Sequence, residues 1–453
     1  MAKSIVISQL IVGLLLVSFS FAQAVNQINV KEYGAKGDGK TNDTKAIKEA
    51  FAKIYKSGGT VYFPSGNYLT NIIDIRPSEG TIIEVKGDKG NTLIIKNPED
   101  KSAVALFFCE IPKVTLVFNS LSLEGSSSAR IRPWKQFKNS GTYDLDNAVH
   151  AIFVYNLRKI TVSGCTIQNF HGDGISTYST TEFIAHNNTI KNVNGTGIKG
   201  HRVVNMDIFE NGIENTGFFS QQFTVSGQQK KRAVFFPKTR FGDGIEADCD
   251  VLTAKNNTII NPGRCGIVHD LAIDLGYKNS SATVENNTIT VNSSNINNGN
   301  PPAGMWFEQS ASVKVIRNKI EIIKSTSKLV TGIRFYGITD SIVCENNTIS
   351  ASQYNLTLDN GIGVFEPEAS SIQVTNNIIS GKFESGLAIS YDSKKAHINH
   401  LLVEGNKING QGKLMKHAVQ VYTGGESTRP KNQVIKNNTF SNIASDHIYT
   451  NPK

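Results

Sequence analysis

Short runs in which apolar and polar residues alternate with period two make up most of the chain, and corners rich in Asn, Gly and Thr separate them. Such alternation marks half-buried strands, whereas a helix would show an apolar period of about 3.6 residues. From residue 160 onward one phrase keeps returning: NNTI at 187, NGI at 211, NNTI at 256 and 286, RNKI at 317, NNTI at 346, NNII at 376, GNKI at 405 and NNTF at 437. Taking Cys165, Asn188, Asn211, Asn257, Asn287, Asn318, Asn347, Asn377, Asn406 and Asn438 as equivalent, the steps run from 23 to 32 residues, with one of 46. A strand-bearing unit repeated in this way makes a solenoid, one coil per step. The pattern predicts an all-β, single-domain parallel β-helix. Asparagines stacked inside it can hydrogen-bond to their counterparts above and below, satisfying amides that are costly to bury.

A second phrase, glycine followed by an apolar residue, recurs at Gly174, Gly197, Gly244, Gly266, Gly304, Gly332, Gly361 and Gly386, with Ala418 in the glycine's place. The next residue is always apolar and is predicted to face the core. Residues two and four after the glycine then point outward, because side chains alternate along a strand. Charge gathers at these positions on the middle coils: Lys199 and His201, Glu246 and Asp248, Asp270, Glu308, and Arg334 with Tyr336. Rungs about 4.8 Å apart would join them into one elongated groove.

Ahead of the repeat, Thr41 to Asp43 offer N-cap side chains, and Ala46, Ile47, Ala50, Phe51 and Ile54 mark one face of a helix near 43–56. A helix over the open end of the solenoid would cover its exposed strand edges. The stretch YGAKGDGKTNDTKAI, followed by GGTVYFPSGNYL, resembles the opening segment of the pectate-lyase-like superfamily of right-handed parallel β-helix proteins. The resemblance implies a right-handed solenoid over 25–453. It leaves the reaction open, since that superfamily holds hydrolases, lyases, epimerases and phage tailspikes.

The first 24 residues, MAKSIVISQLIVGLLLVSFSFAQA, read as a secretory signal cut after about Ala24, so the expected location is extracellular or periplasmic. No later stretch has the roughly 18 to 20 apolar residues that a spanning helix needs. The formal charge of +9 favours an anionic partner, which for an exported protein means an acidic polysaccharide rather than nucleic acid or membrane. The protein is expected to be a monomer. Five scattered cysteines form neither a disulfide framework nor a CxxC motif and read as small buried side chains. The 46-residue step carries FFSQQFTVSGQQKKRAVFFPKTRF, a basic and aromatic insertion near 216–241 expected to wall or cover the groove.

FGDGIEADCD, residues 241–250, holds the candidate chemistry. Glu246 and Asp248 leave one strand on the same side with Cα atoms roughly 6.5 to 7 Å apart. Two carboxylates so placed can have their pKa values pushed apart into an acid and a base. In glycoside hydrolysis, a spacing of about 6.5 to 9.5 Å admits a water and predicts inversion. Asp243 belongs to the turn before the strand. GIEAD, with His269 one coil later, is similar to the arrangement in iota-carrageenases, β-helical hydrolases of sulfated galactan. That likeness implies Glu246 as general acid, Asp248 as the group that activates water, and His269 as an assisting residue. In strict register His269 faces inward, and a bulge in RCGIVHD would be needed to turn it out. Lys199 stands where that family has a neutral polar helper, and the paired aspartates, GHG and RIK of polygalacturonases are absent.

Lys199, His201, Arg202, Asp270, Trp306, Glu308, Arg334 and Tyr336 are the expected substrate contacts, with Trp306 stacking on a sugar face. The leading expectation is an inverting hydrolase of a sulfated or uronate polysaccharide. A lyase is the alternative, with Lys199 or His201 abstracting a proton while Arg202, Arg334 or a Ca2+ ion held by the carboxylates neutralises the uronate. A third reading is a non-catalytic, glycan-binding β-helix.

Overall fold

The computed structural model describes residues 26–100, 104–125, 149–217, 242–270, 280–293, 302–325, 329–351, 357–391, 398–411, 415–423, 430–445 and 447–450. The leader and nearly all of the basic insertion lie outside these residues. Among the described residues, strands pair only in parallel, each with the equivalent strand of the coils above and below, in sheets of 25 and 14 strands. The larger sheet spans two walls because strands such as Ile198–Phe209 and Ile245–Lys255 run round a corner. The chain winds in the right-handed sense that parallel crossovers take, giving a right-handed parallel β-helix. No helix among these residues is long and apolar enough to cross a membrane.

Helix Thr44–Ile54 closes the N-terminal end, against strands Gln27–Asn29 and Gly59–Phe63. Its five expected apolar residues are all buried. The Asp43 carboxylate ties down the preceding loop, accepting hydrogen bonds from Lys36 N (2.7 Å) and Gly37 N (3.0 Å), rather than capping the helix. All five cysteines are free and buried.

The NN phrase resolves into two jobs. Its first residue turns a corner in the left-handed region, as Asn187 (φ 55°), Asn256 (55°), Asn286 (56°), Asn346 (57°) and Asn376 (56°) do, a conformation that asparagine tolerates better than most residues. The second residue enters the interior and joins a ladder. The Asn257 side-chain amide donates to Asn287 Oδ1 (2.9 Å) and to the Ile208 carbonyl (2.9 Å), and its backbone N–H donates to the same Asn287 oxygen (2.9 Å). The same three bonds recur from Asn188 to Asn406, and the ladder starts where Cys165 N donates to Asn188 Oδ1.

The glycine-led strands stack as the spacing predicts. Ile198 pairs with Ile245, Ile245 with Ile267, Ile267 with Met305 and Met305 with Ile333, all fully buried. Strict register also fixes His269, which pairs with Ala247 and Phe307 and has no exposed surface. The expected catalytic role of His269 is therefore corrected: no bulge turns it out, and it packs inside the solenoid. Ser310 Oγ lies 2.7 Å from its Nδ1, and its Nε2 lies 3.0 Å from the Cys249 carbonyl, which accepts. Burial pushes its pKa down to about 4, so a neutral ring fills this place.

Glycine is needed in the column because neighbouring coils touch there. A Cβ on Gly304 would lie 2.5 Å from Ile320 Cγ2 and 2.6 Å from the Gly332 carbonyl oxygen. At Gly212 a Cβ would meet nothing within 4 Å. Gly304→Ala is expected to destabilise the fold by about 1 to 3 kcal/mol through overpacking, while Gly212→Ala leaves stability unchanged or slightly higher. Urea melts of the two variants check this.

Candidate active site on one wall

Outward residues of the glycine-led strands form two columns. In the first, register pairs Ser176 with Lys199, Lys199 with Glu246, Glu246 with Val268, Val268 with Trp306, and Trp306 with Arg334. In the second it pairs Tyr178 with His201, His201 with Asp248, Asp270 with Glu308, and Glu308 with Tyr336. Asp270 follows His269, the partner of Ala247, and so continues the column of Asp248. The structure thus brings Lys199, His201, Glu246, Asp248, Asp270, Glu308, Arg334 and Tyr336 to one wall. Arg202 stands apart, exposed at the bulge between His201 and Val203. Trp306 is corrected as a sugar platform. It is only 6% exposed and packs with Cys265, Val268 and Ala303 in a satellite core. Arg334 lies over its ring, 5.0 Å from the centroid.

Two rungs carry matched pairs. Lys199 Nζ lies 2.9 Å from Glu246 Oε1, and the Thr196 hydroxyl donates to Glu246 Oε2 (3.0 Å). Burial alone would lower the Lys199 ammonium, but Glu246, Asp173 and Tyr178 outweigh it and hold the group above its ordinary value. One residue pair along, His201 Nδ1 lies 2.7 Å from Asp248 Oδ2. Neither oxygen of buried Asp248 accepts a well-directed hydrogen bond from the described residues.

Asp270 differs from both. Solvent reaches it, yet partial burial, followed by the like charges of Glu308, Glu246 and Asp248, pushes its pKa up to about 6 against the pull of Arg264. Burial raises Glu308 as well, with Arg334 opposing. Asp270, with its raised pKa, thus shares the wall with Glu246, whose oxygens face an ammonium and a hydroxyl. Among the described residues no group of three His, Cys, Asp or Glu side chains is gathered closely enough to hold a metal ion.

A third line of side chains, one or two residues before the glycines, braces this wall; the DGI phrases mark its turn aspartates, while Arg264 and Thr196 escaped the sequence reading. Asp243 accepts from Arg264 Nε (3.0 Å), Arg264 Nη2 (2.5 Å) and Cys265 N (2.8 Å), which makes it the turn-former expected. Arg264 is thereby held as the cation that opposes the raised pKa of Asp270, and it adds to the larger effect of Arg334 on Glu308. Asp173, in the other DGI phrase, lies 3.2 Å from His150 Nδ1. Burial raises its pKa, but His150 and Lys199 overcome that and lower it to about 2. Only the repetition of DGI and the arginine of GRCG signalled these residues in the sequence.

A family model described as rhamnogalacturonase A/epimerase, pectate lyase-like, matches residues 27–106, and one described as right handed beta helix region matches residues 109–320. Alginate lyase 7 of Azotobacter vinelandii is 52% identical over 58 residues, 13% of this chain and 7% of the relative. A probable rhamnogalacturonase B of Neosartorya fischeri is 34% identical over 93 residues, 19% of this chain and 18% of the relative. The matches therefore span less than a fifth of either relative's length. Among solved structures, the pre-mature gene product 12 of bacteriophage phi29 aligns over 93% of this chain and 56% of its own, with 14% identity and a TM-score of 0.50, a likeness of fold. Opening segment, coil register and family models agree on a right-handed parallel β-helix whose first coils match a pectate lyase-like family model.

Proposed function

We propose that this wall is the active site of an exported enzyme that hydrolyses an anionic polysaccharide with inversion. The observation that carries the proposal is the pairing of Asp270, whose pKa is raised to about 6, with Glu246, whose oxygens are held by Lys199 and Thr196. A general acid must hold a proton near the working pH and a base must not. Asp270 is the acid in this reading. It protonates the glycosidic oxygen, and Glu246 activates the water that attacks the opposite face of the sugar. The roles implied by the carrageenase likeness change accordingly, because a carboxylate against an ammonium is a poor proton donor.

Spacing supports the same assignment. Asp270 is one rung from Glu246 and two residues further along the strand, which places the Cα atoms about 8 Å apart. Inversion needs carboxyl groups about 6.5 to 9.5 Å apart to leave room for a water, a separation that side chains from Cα atoms so placed can span. Asp248 sits between them, buried with His201, and its charge helps to keep the proton on Asp270. Elimination through Lys199 is disfavoured, since an ammonium held above its ordinary value cannot abstract a proton. The family models, and relatives named as a lyase and a rhamnogalacturonase, support action on a polysaccharide.

Incubation with carrageenans, pectate, alginate and ulvan is expected to release new reducing ends without the ultraviolet absorbance of an unsaturated uronate. That absorbance would establish elimination, and no cleavage of any polymer would leave a binding protein. Asp270→Asn and Glu246→Gln should each lower kcat by roughly 100- to 10,000-fold with little change in KM; full activity in either variant removes its assignment. In the wild type, kcat should fall as pH rises through about 6, because Asp270 loses its proton there. Glu308→Gln removes a like charge, so this limb should move to lower pH.

A further inference from the structure

Of Lys199, Arg264 and Arg334, the cations that the described residues place on this wall, two are committed to partners. Lys199 is paired with Glu246, and Arg264 with Asp243. Arg334 has no ion pair with any described residue, and its Nε is buried without a hydrogen-bond partner. Its guanidinium lies between two rings, 5.0 Å from the Trp306 centroid and 4.6 Å from that of Phe365. Burial lowers its pKa while Asp359 and Glu308 act in the opposite direction. With a ring on either side, the donors left for a partner are those in the guanidinium plane, and a planar fork of this kind takes a carboxylate or sulfate through two parallel hydrogen bonds. An unsatisfied buried donor is costly, so a site that leaves one in place is prepared for a partner from outside.

We propose that Arg334 is the anion receptor of the groove: it binds the carboxylate or sulfate of a sugar unit remote from the scissile bond and selects acidic over neutral polysaccharide. This rests on the reading of the wall as a polysaccharide site and deepens it. Arg334 lies three rungs from Glu246 in the first column, about 14 Å along the axis. Its rung mate Tyr336 is two rungs from Asp270, about 10 Å away. The sugar held there is not the one whose bond breaks, so Arg334 acts on binding and leaves the chemical step alone. Satellite packing gives Trp306 its purpose: the indole is the shelf that orients Arg334, while the ring Phe365 closes the other side.

Affinity electrophoresis of the whole protein tests this without requiring turnover. Gels carry polygalacturonate or a sulfated galactan, each beside its carboxyl-reduced or desulfated form. The wild type should be retarded by at least one acidic polymer, and the polymer that retards it tells carboxylate from sulfate. Arg334→Gln should weaken that retardation about tenfold, as loss of a charged hydrogen-bonded contact does, and should behave like the wild type on the neutralised polymer. Arg334→Lys keeps the charge but not the planar fork, and should fall between the two. Arg317→Gln, which removes the same charge at an exposed pair with Glu285 on the adjoining wall, should bind like the wild type. Thermal melts establish that the variants are folded. Unchanged retardation of Arg334→Gln, equal losses on acidic and neutralised polymers, or no retardation of the wild type by either acidic polymer would each overturn the proposal. Cleavage is scored separately. Binding through Arg334 without new reducing ends keeps the receptor and refutes the hydrolase, while cleavage that ignores Arg334 does the reverse.

Discussion

Every outward position in this molecule depends on the register held by a line of buried asparagines. Each ladder amide has its two N–H bonds and its oxygen occupied, by the next asparagine and by a carbonyl across the coil. Slipping one coil by a single residue would strand these groups without water, at about 1 to 3 kcal/mol for each unsatisfied group. Period-two alternation makes the functional consequence severe. The same slip would turn Glu246 and Asp248 into the core and present Ala247 to the groove. The ladder therefore protects the composition of the wall as well as its stability.

Register in turn explains why carboxyl groups that repel one another can be kept together. Asp248, Asp270 and Glu308 follow one another up a column that the backbone will not let them leave. Arg264 and Lys199 reduce the repulsion from one side, each anchored to its own acid. What remains is a strained gradient of charge: a salt-bridged Glu246, a buried Asp248 against His201, then two carboxyls whose pKa values are raised. Stability alone would favour replacing such a cluster with uncharged residues, as at Ser176 and Tyr178 or Gly363 and Phe365 on neighbouring coils. A cluster gathered on one wall at such a cost fits the proposed active site.

Much of this was legible in the chain. The NN phrase and the glycine phrase fix both the inward and the outward positions, and the observed pairing from Lys199 to Arg334 follows that alignment rung by rung. His269 shows the strength of the rule: strict alternation placed it inside, and only the hope of a bulge brought it out. Trp306 shows a limit, since alternation gives the direction of a side chain but not what lies over it, and Val268, Ala303 and Arg334 cover the ring. Electrostatics set a second limit. The raised pKa of Asp270 comes from desolvation and from groups on the coils either side, neither of which has a local signature. Arg264 and Thr196 were missed because they sit three or four residues ahead of the first column, in turns that read only as punctuation.

The central claim is that coil stacking, by setting Asp270 among Glu308, Glu246 and Asp248, keeps a proton on that carboxyl at pH values where an isolated aspartate has lost it. Carbon-13 labelling of aspartate carboxyls, with Asp270→Asn to assign the resonance, measures this directly in the free protein. The account predicts a titration midpoint near 6, whereas a midpoint at the ordinary value of 3.8 would contradict it.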